Sequence, residues 1–95
     1  MSVIDVFWEF IYEHHPQLAF NDWLVDSQLM NVEEIVNAEV RELIPHRLKE
    51  VNCIVYFYEG GTKNVVYLLQ DKQGKQNIAI GLLKNDELVD AVNLS

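Results

Sequence analysis

Val51-Asn52-Cys53-Ile54-Val55-Tyr56-Phe57-Tyr58-Glu59-Gly60-Gly61-Thr62-Lys63-Asn64-Val65-Val66-Tyr67-Leu68-Leu69-Gln70 decides the fold of this chain. Residues 51–58 are β-branched and aromatic, the composition of a strand. Gly60-Gly61 supplies central turn residues that tolerate positive φ, so residues 64–70 are expected to return as an antiparallel neighbour. Asp71-Lys72-Gln73-Gly74 makes a second turn into a strand over 76–83. Lys84-Asn85-Asp86 turns once more into a short strand over 88–94. Connections this short join adjacent strands, which makes the second half a meander.

Upstream of residue 51 the apolar spacing changes to that of helices. Ser2 with Asp5 reads as an N-cap and an acid at N3, ahead of Ile4, Phe7, Trp8 and Ile11 over residues 3–12. His14-His15-Pro16 ends that helix, because the residue before proline is pushed out of the α region. Asn21 caps a second, shorter expected helix through Trp23, Leu24 and Met30. Asn31 with Glu34 starts a third, whose stripe Val32, Ile35, Val36, Val40, Leu43, Ile44 runs to Pro45. Helices followed by strands predict an α+β domain: three N-terminal helices packed on one face of a four-stranded antiparallel β-meander. At 95 residues and 11.1 kDa this is one domain over 1–95, with a helical half 1–50 and a sheet half 51–95.

The strands alternate poorly. Val51, Cys53, Val55 and Phe57 form one set and Ile54, Tyr56 and Tyr58 the other, so both faces of the sheet need cover. Wrapping by the helices supplies it, or a partner surface does, or a ligand pocket. The residues singled out for a sheet-face interface are Ile54, Tyr56, Tyr58 and Tyr67.

Charge is the second feature. The chain carries 15 carboxylates against 7 Lys and Arg, a net −8. Residues 1–40 hold eight of those carboxylates and no Lys or Arg. An ordinary helical surface mixes both signs, because opposite charges at i, i+4 attract. A field of one sign steers basic partners and repels nucleic acid and anionic membranes, although bare solubility accounts for it equally. No uncharged run exceeds eight residues, so no membrane-spanning helix is expected, and Asp5 and Glu9 are unlike the start of a secretory signal. The single Cys53 forms no internal disulfide and reads as a small buried hydrophobe in a reducing, cytoplasmic setting.

The search for chemistry finds nothing that outweighs its plainer explanation. Adjacent His14 and His15 lie about 100° apart on a helix, whereas metal pairs prefer i, i+4. Near a helix C-terminus they favour its dipole. A Cys53–His46 dyad has no motif around it. Gly60-Gly61-Thr62-Lys63 lacks phosphate-loop spacing and joins two strands. Tyr56 and Tyr58 on one strand face resemble base-stacking aromatics, but the surround is acidic. Asn93-Leu94-Ser95 matches a glycosylation acceptor and means nothing without secretion. Catalytic, cofactor-binding and metal-ligating residues are therefore none.

The expected function is that of a small acidic, non-enzymatic interaction protein. It binds, and inhibits or escorts, a basic protein partner such as a nuclease, whose cleft is rich in Lys and Arg. Immunity proteins, antitoxins and phage-encoded inhibitors share this size and charge, an analogy rather than a family likeness. Asp22, Asp26, Glu33 and Glu34 are the expected contacts, clustered at two predicted helix starts. Two other classes stand beside this one. The first is a small-molecule-binding domain with Trp8, Trp23, Tyr56, Tyr67 and His46 around its pocket. The second is a homodimeric structural subunit joined through the outer sheet face.

Overall fold

In the computed structural model the described residues are 2–19, 23–35, 37–58 and 63–94. The element order is α1 (Val3–His14), β1 (Leu24–Asn31), α2 (Ala38–Glu42), β2 (Glu50–Tyr58), β3 (Asn64–Gln70), β4 (Asn77–Lys84) and β5 (Glu87–Asn93), with 3₁₀ turns at Pro16–Leu18 and Val32–Glu34. The strands form one antiparallel sheet in the order β1-β2-β3-β4-β5. No helix among the described residues is long and apolar enough to cross a membrane.

The architecture corrects the expectation of three helices on a four-stranded meander. Among the described residues only α1 is a helix of several turns, and the sheet has five strands. The expected second helix is β1, paired with β2 from Leu24↔Phe57 to Asn31↔Glu50. Its apolar residues, Leu24 and Val25 with Leu29 and Met30, lie four to six apart and mimic helical spacing. A helix there would leave that edge of β2 unpaired, and the ladder overrides local periodicity. The expected third helix breaks at its middle. Ile35 is extended at φ −73°, ψ 112°, and Asn37 caps α2 by accepting from the Val40 N–H at 3.1 Å. Val36 of that stripe, the Asn21 cap and the Gly60-Gly61 turn lie outside the described residues.

Helix α1 forms for the reasons its sequence gave. The Ser2 hydroxyl accepts from the Asp5 N–H at 3.4 Å, and the Ser2 N–H donates to Asp5 Oδ2 at 3.2 Å. The Ser2 hydroxyl also donates to Asp5 Oδ2 at 2.8 Å, and this bond first, then that of the Ser2 N–H, holds the Asp5 carboxyl below its usual value. Its buried stripe is Phe7, Phe10 and Ile11, while Ile4 is exposed.

Both sheet faces are covered, by different elements. Ladder partners Ile54, Leu68 and Ile80 share the first face with Tyr56, Val66 and Leu82, and α1 closes it with Phe7, Phe10 and Ile11. Phe7 stacks on Tyr56 with centroids 4.0 Å apart and packs edge-on to Trp8 and Trp23. Cys53, Leu69 and Ala79 lie on the second face, beneath Ile35, Val40 and Ile44 from the segment around α2. The β4–β5 hairpin turns on Asn85 and Asp86, both with positive φ, which is the two-residue geometry that matches strand twist.

Candidate functional site

The second sheet face is not completely filled. On that face the ladder neighbours of Leu69 and Tyr67 in β4 are Ala79 and Gly81. The segment above it is short because Asn37 restarts the chain as a single helical turn. Between them lies a cavity of about 610 Å³. Met30 of β1, Ile35, Val40 of α2, Leu69 of β3 and Leu83 of β4 give it apolar walls, with Cys53 of β2 at its floor. Its polar groups are Asn37, Tyr67 and the carboxylates of Glu34, Glu39 and Asp86, the three carboxylates all exposed. None of the lining residues is Lys, Arg or His.

Each carboxylate is set by local structure. Glu34 ends the 3₁₀ turn after β1 and accepts from the Asn31 N–H at 3.2 Å. Glu39 stands in the first turn of α2. Asp86 occupies the β4–β5 turn and meets Lys63 at 3.9 Å, an exposed pair that contributes little. Desolvation pushes the Tyr67 phenol up, with Cys53 and Asp86 adding to the shift, so its hydroxyl stays a neutral hydrogen-bond donor well above neutrality.

Burial pushes the Cys53 thiol up to about 11, from an ordinary 9.0. The thiolate needed for nucleophilic chemistry is thereby suppressed. The same shift predicts alkaline destabilisation. The unfolded chain releases this proton first, so the contribution is whole below pH 9 and is lost as the pH rises through about 11. The loss amounts to about 2–3 kcal/mol. Urea midpoints should fall between about pH 8 and about pH 10.5, and Cys53→Ala should flatten much of that slope. The raised Tyr56 and Tyr67 leave a remainder of the same sign.

The residues chosen from sequence are distributed as follows. Asp22 lies outside the described residues. Asp26, Glu33 and Glu34 are exposed, but they mark a strand and a 3₁₀ turn rather than helix starts. Asp26 alternates with Met30 onto the cavity side of β1, and Glu34 is in the cavity wall. Ile54 and Tyr56 are buried beneath α1, and Tyr58 is half-buried beside Trp23 at 5.8 Å. Tyr67 belongs to the opposite face, so those four do not make one surface. Trp8, Trp23 and Tyr56 pack together in the first core, and His46 is exposed.

His14 and His15 both turn to Asp90 of β5, at 3.7 and 3.1 Å. Among the described residues no group of three or more His, Cys, Asp or Glu side chains is placed to hold a metal ion. No protein-family model, curated protein or solved structure matches this chain. Function must therefore be argued from the site itself. Glu39, Asp86, Ile35 and Met30 were missed in the sequence as site residues. Only the Asn-Asp turn flagged Asp86, and nothing local joins it to α2.

Proposed function

We propose that this chain is a non-enzymatic interaction domain that docks a basic protein partner. An apolar side chain of the partner enters the cavity between α2 and the sheet, and flanking Lys or Arg residues meet Glu34, Glu39 and Asp86. The observation that carries the reading is the cavity's composition: apolar walls, three carboxylates at the mouth and no lining base. The net charge of −8 gives the whole chain a field of the same sign. Glu33 and Asp26 lie within that field. A domain of this kind inhibits or escorts its partner by covering the partner's basic surface, and it repels nucleic acid. One free thiol held neutral by burial fits a reducing, cytoplasmic setting.

The test is an NMR titration with a short probe peptide carrying one Leu between Arg residues. Shifts should concentrate on Met30, Ala38, Val40 and Tyr67. Affinity should fall about tenfold or more as salt rises from about 0.05 to about 0.5 M. The double variant Glu34→Lys/Glu39→Lys should abolish the response while leaving the far-ultraviolet circular dichroism unchanged. Shifts scattered over the whole surface, or affinity indifferent to salt and to the double variant, would defeat the reading. Equal binding of a neutral apolar probe at the same residues would favour a small-molecule site instead.

A further inference from the structure

The outer edge of β1 carries a second kind of information, independent of the cavity. β1 ends the sheet, and no other strand among the described residues pairs with its outer edge. Exposed edges are normally guarded by brevity, bulges, Lys or Pro. β1 runs eight residues in unbroken register with neither Lys nor Pro, and it exposes Leu24 by 61%, Val25 by 62% and Leu29 by 51%.

Backbone direction along that edge follows from three bonds. The Val32 N–H donates to the Lys49 carbonyl at 2.9 Å, continuing the β1–β2 register, so even-numbered residues face β2. Val25, Ser27, Leu29 and Asn31 then turn their N–H and C=O groups to the free edge. Two of those N–H groups are held by nearby carboxylates, as this parity requires. Ser27 donates to Asp26 Oδ1 at 2.8 Å and Asn31 to Glu34 Oε1 at 3.2 Å.

The stretch Leu24-Val25-Asp26-Ser27-Gln28-Leu29-Met30 is a palindrome of character about Ser27. We propose that β1 is a dimerisation edge, on which a second copy of this chain pairs antiparallel about a two-fold axis at Ser27. The two five-stranded sheets then become one continuous sheet. In this register Val25 meets Leu29 of the partner subunit on the α1 side, and Leu24 meets Met30 of the partner subunit on the cavity side. Asp26 lies opposite Gln28 of the partner subunit, a neutral amide. Two main-chain bonds form at the Ser27–Ser27 pair and two more at each Val25–Leu29 pair.

Neighbouring registers are worse. Centring on Asp26 sets the two carboxylates against each other and Leu24 against Gln28. Centring on Gln28 sets Asp26 against Met30 and Ser27 against Leu29. Only the Ser27 centre matches apolar to apolar throughout. Asp26 also acts as a brake, because its carboxylate must release the Ser27 N–H before the central bonds form. Two chains of charge −8 repel, so screening should strengthen this association. Docking of a basic partner responds to salt with the opposite sign.

Sedimentation velocity on the full chain tests the proposal. The expected result is a monomer–dimer equilibrium whose dimer fraction rises with concentration and with salt up to about 0.5 M. Ser27→Pro removes an outward N–H without touching the β1–β2 ladder, and it should weaken the dimer about tenfold or more. Leu29→Lys, on an exposed position, should weaken it comparably, whereas Asp26→Ala should tighten it. A chain that stays monomeric to about 1 mM in high salt overturns the proposal and leaves the edge to a strand of another protein. So does a dimer that tolerates both Ser27→Pro and Leu29→Lys.

Discussion

Phe7→Ala should cost the domain about 3–5 kcal/mol. Phe7 is 0% exposed at the centre of the first core, stacked on Tyr56 and edge-on to two tryptophans. Truncation removes the ring's buried area and its aromatic contacts, and it leaves a cavity that a stiff sheet cannot close. It also loosens α1 from the face it covers, exposing Ile54, Val66, Leu68, Ile80 and Leu82. Total stability for a domain of this size is about 5–15 kcal/mol, so the variant should sit near its unfolding midpoint at 37 °C. Thermal unfolding followed by near-ultraviolet circular dichroism reads this directly. A melting temperature within a few degrees of the parent would show that α1 is not closing the face.

Leu69→Asp should be as damaging on the other side of the sheet, at about 4 kcal/mol or more. Leu69 is 2% exposed and packs with Cys53 and Ala79 beneath Ile35, Val40 and Ile44. A carboxylate introduced there is desolvated, finds no base among the cavity's lining residues, and is repelled by Glu34, Glu39 and Asp86. Val89→Asp is the matched control. Val89 is exposed on β5, and the same chemistry there should change stability by about 0.5 kcal/mol or less. Urea unfolding of the two variants side by side measures the contrast. Similar losses at both positions would mean that the second core is not closed as the packing implies.

Much of the sheet was legible because β2–β5 follow one another through short turns. Each strand announces itself by β-branched and aromatic residues, and each turn by residues that tolerate positive φ, as Asn85 and Asp86 do. Failure came where two local signals agreed on the wrong answer. Residues 24–30 repeat apolar pairs at a spacing that serves a helix and an edge strand equally. Asn37 falls inside the stretch expected as one helix, although it is the cap that starts a new turn. The candidate site was less legible than the fold. Glu34 and Tyr67 were noticed separately, for a charge cluster and a sheet face. Their meeting with Glu39 and Asp86 depends on register between strands far apart in sequence.

By itself the sequence determined local and additive properties: a capped first helix, a run of antiparallel strands, two apolar sheet faces that need cover, and a carboxylate-rich field. These depend on residue type and near neighbours, so they survive without knowledge of the fold. Tertiary structure alone decided that residues 24–31 are a strand, since the unpaired edge of β2 outweighs a weak helical period. It also assigned α1 to one face and the short α2 segment to the other. That division leaves a gap between the α2 segment and the sheet, and packing of distant segments brings Glu34, Glu39 and Asp86 around it. Packing and pairing between distant segments are cooperative, and no window of the chain contains them.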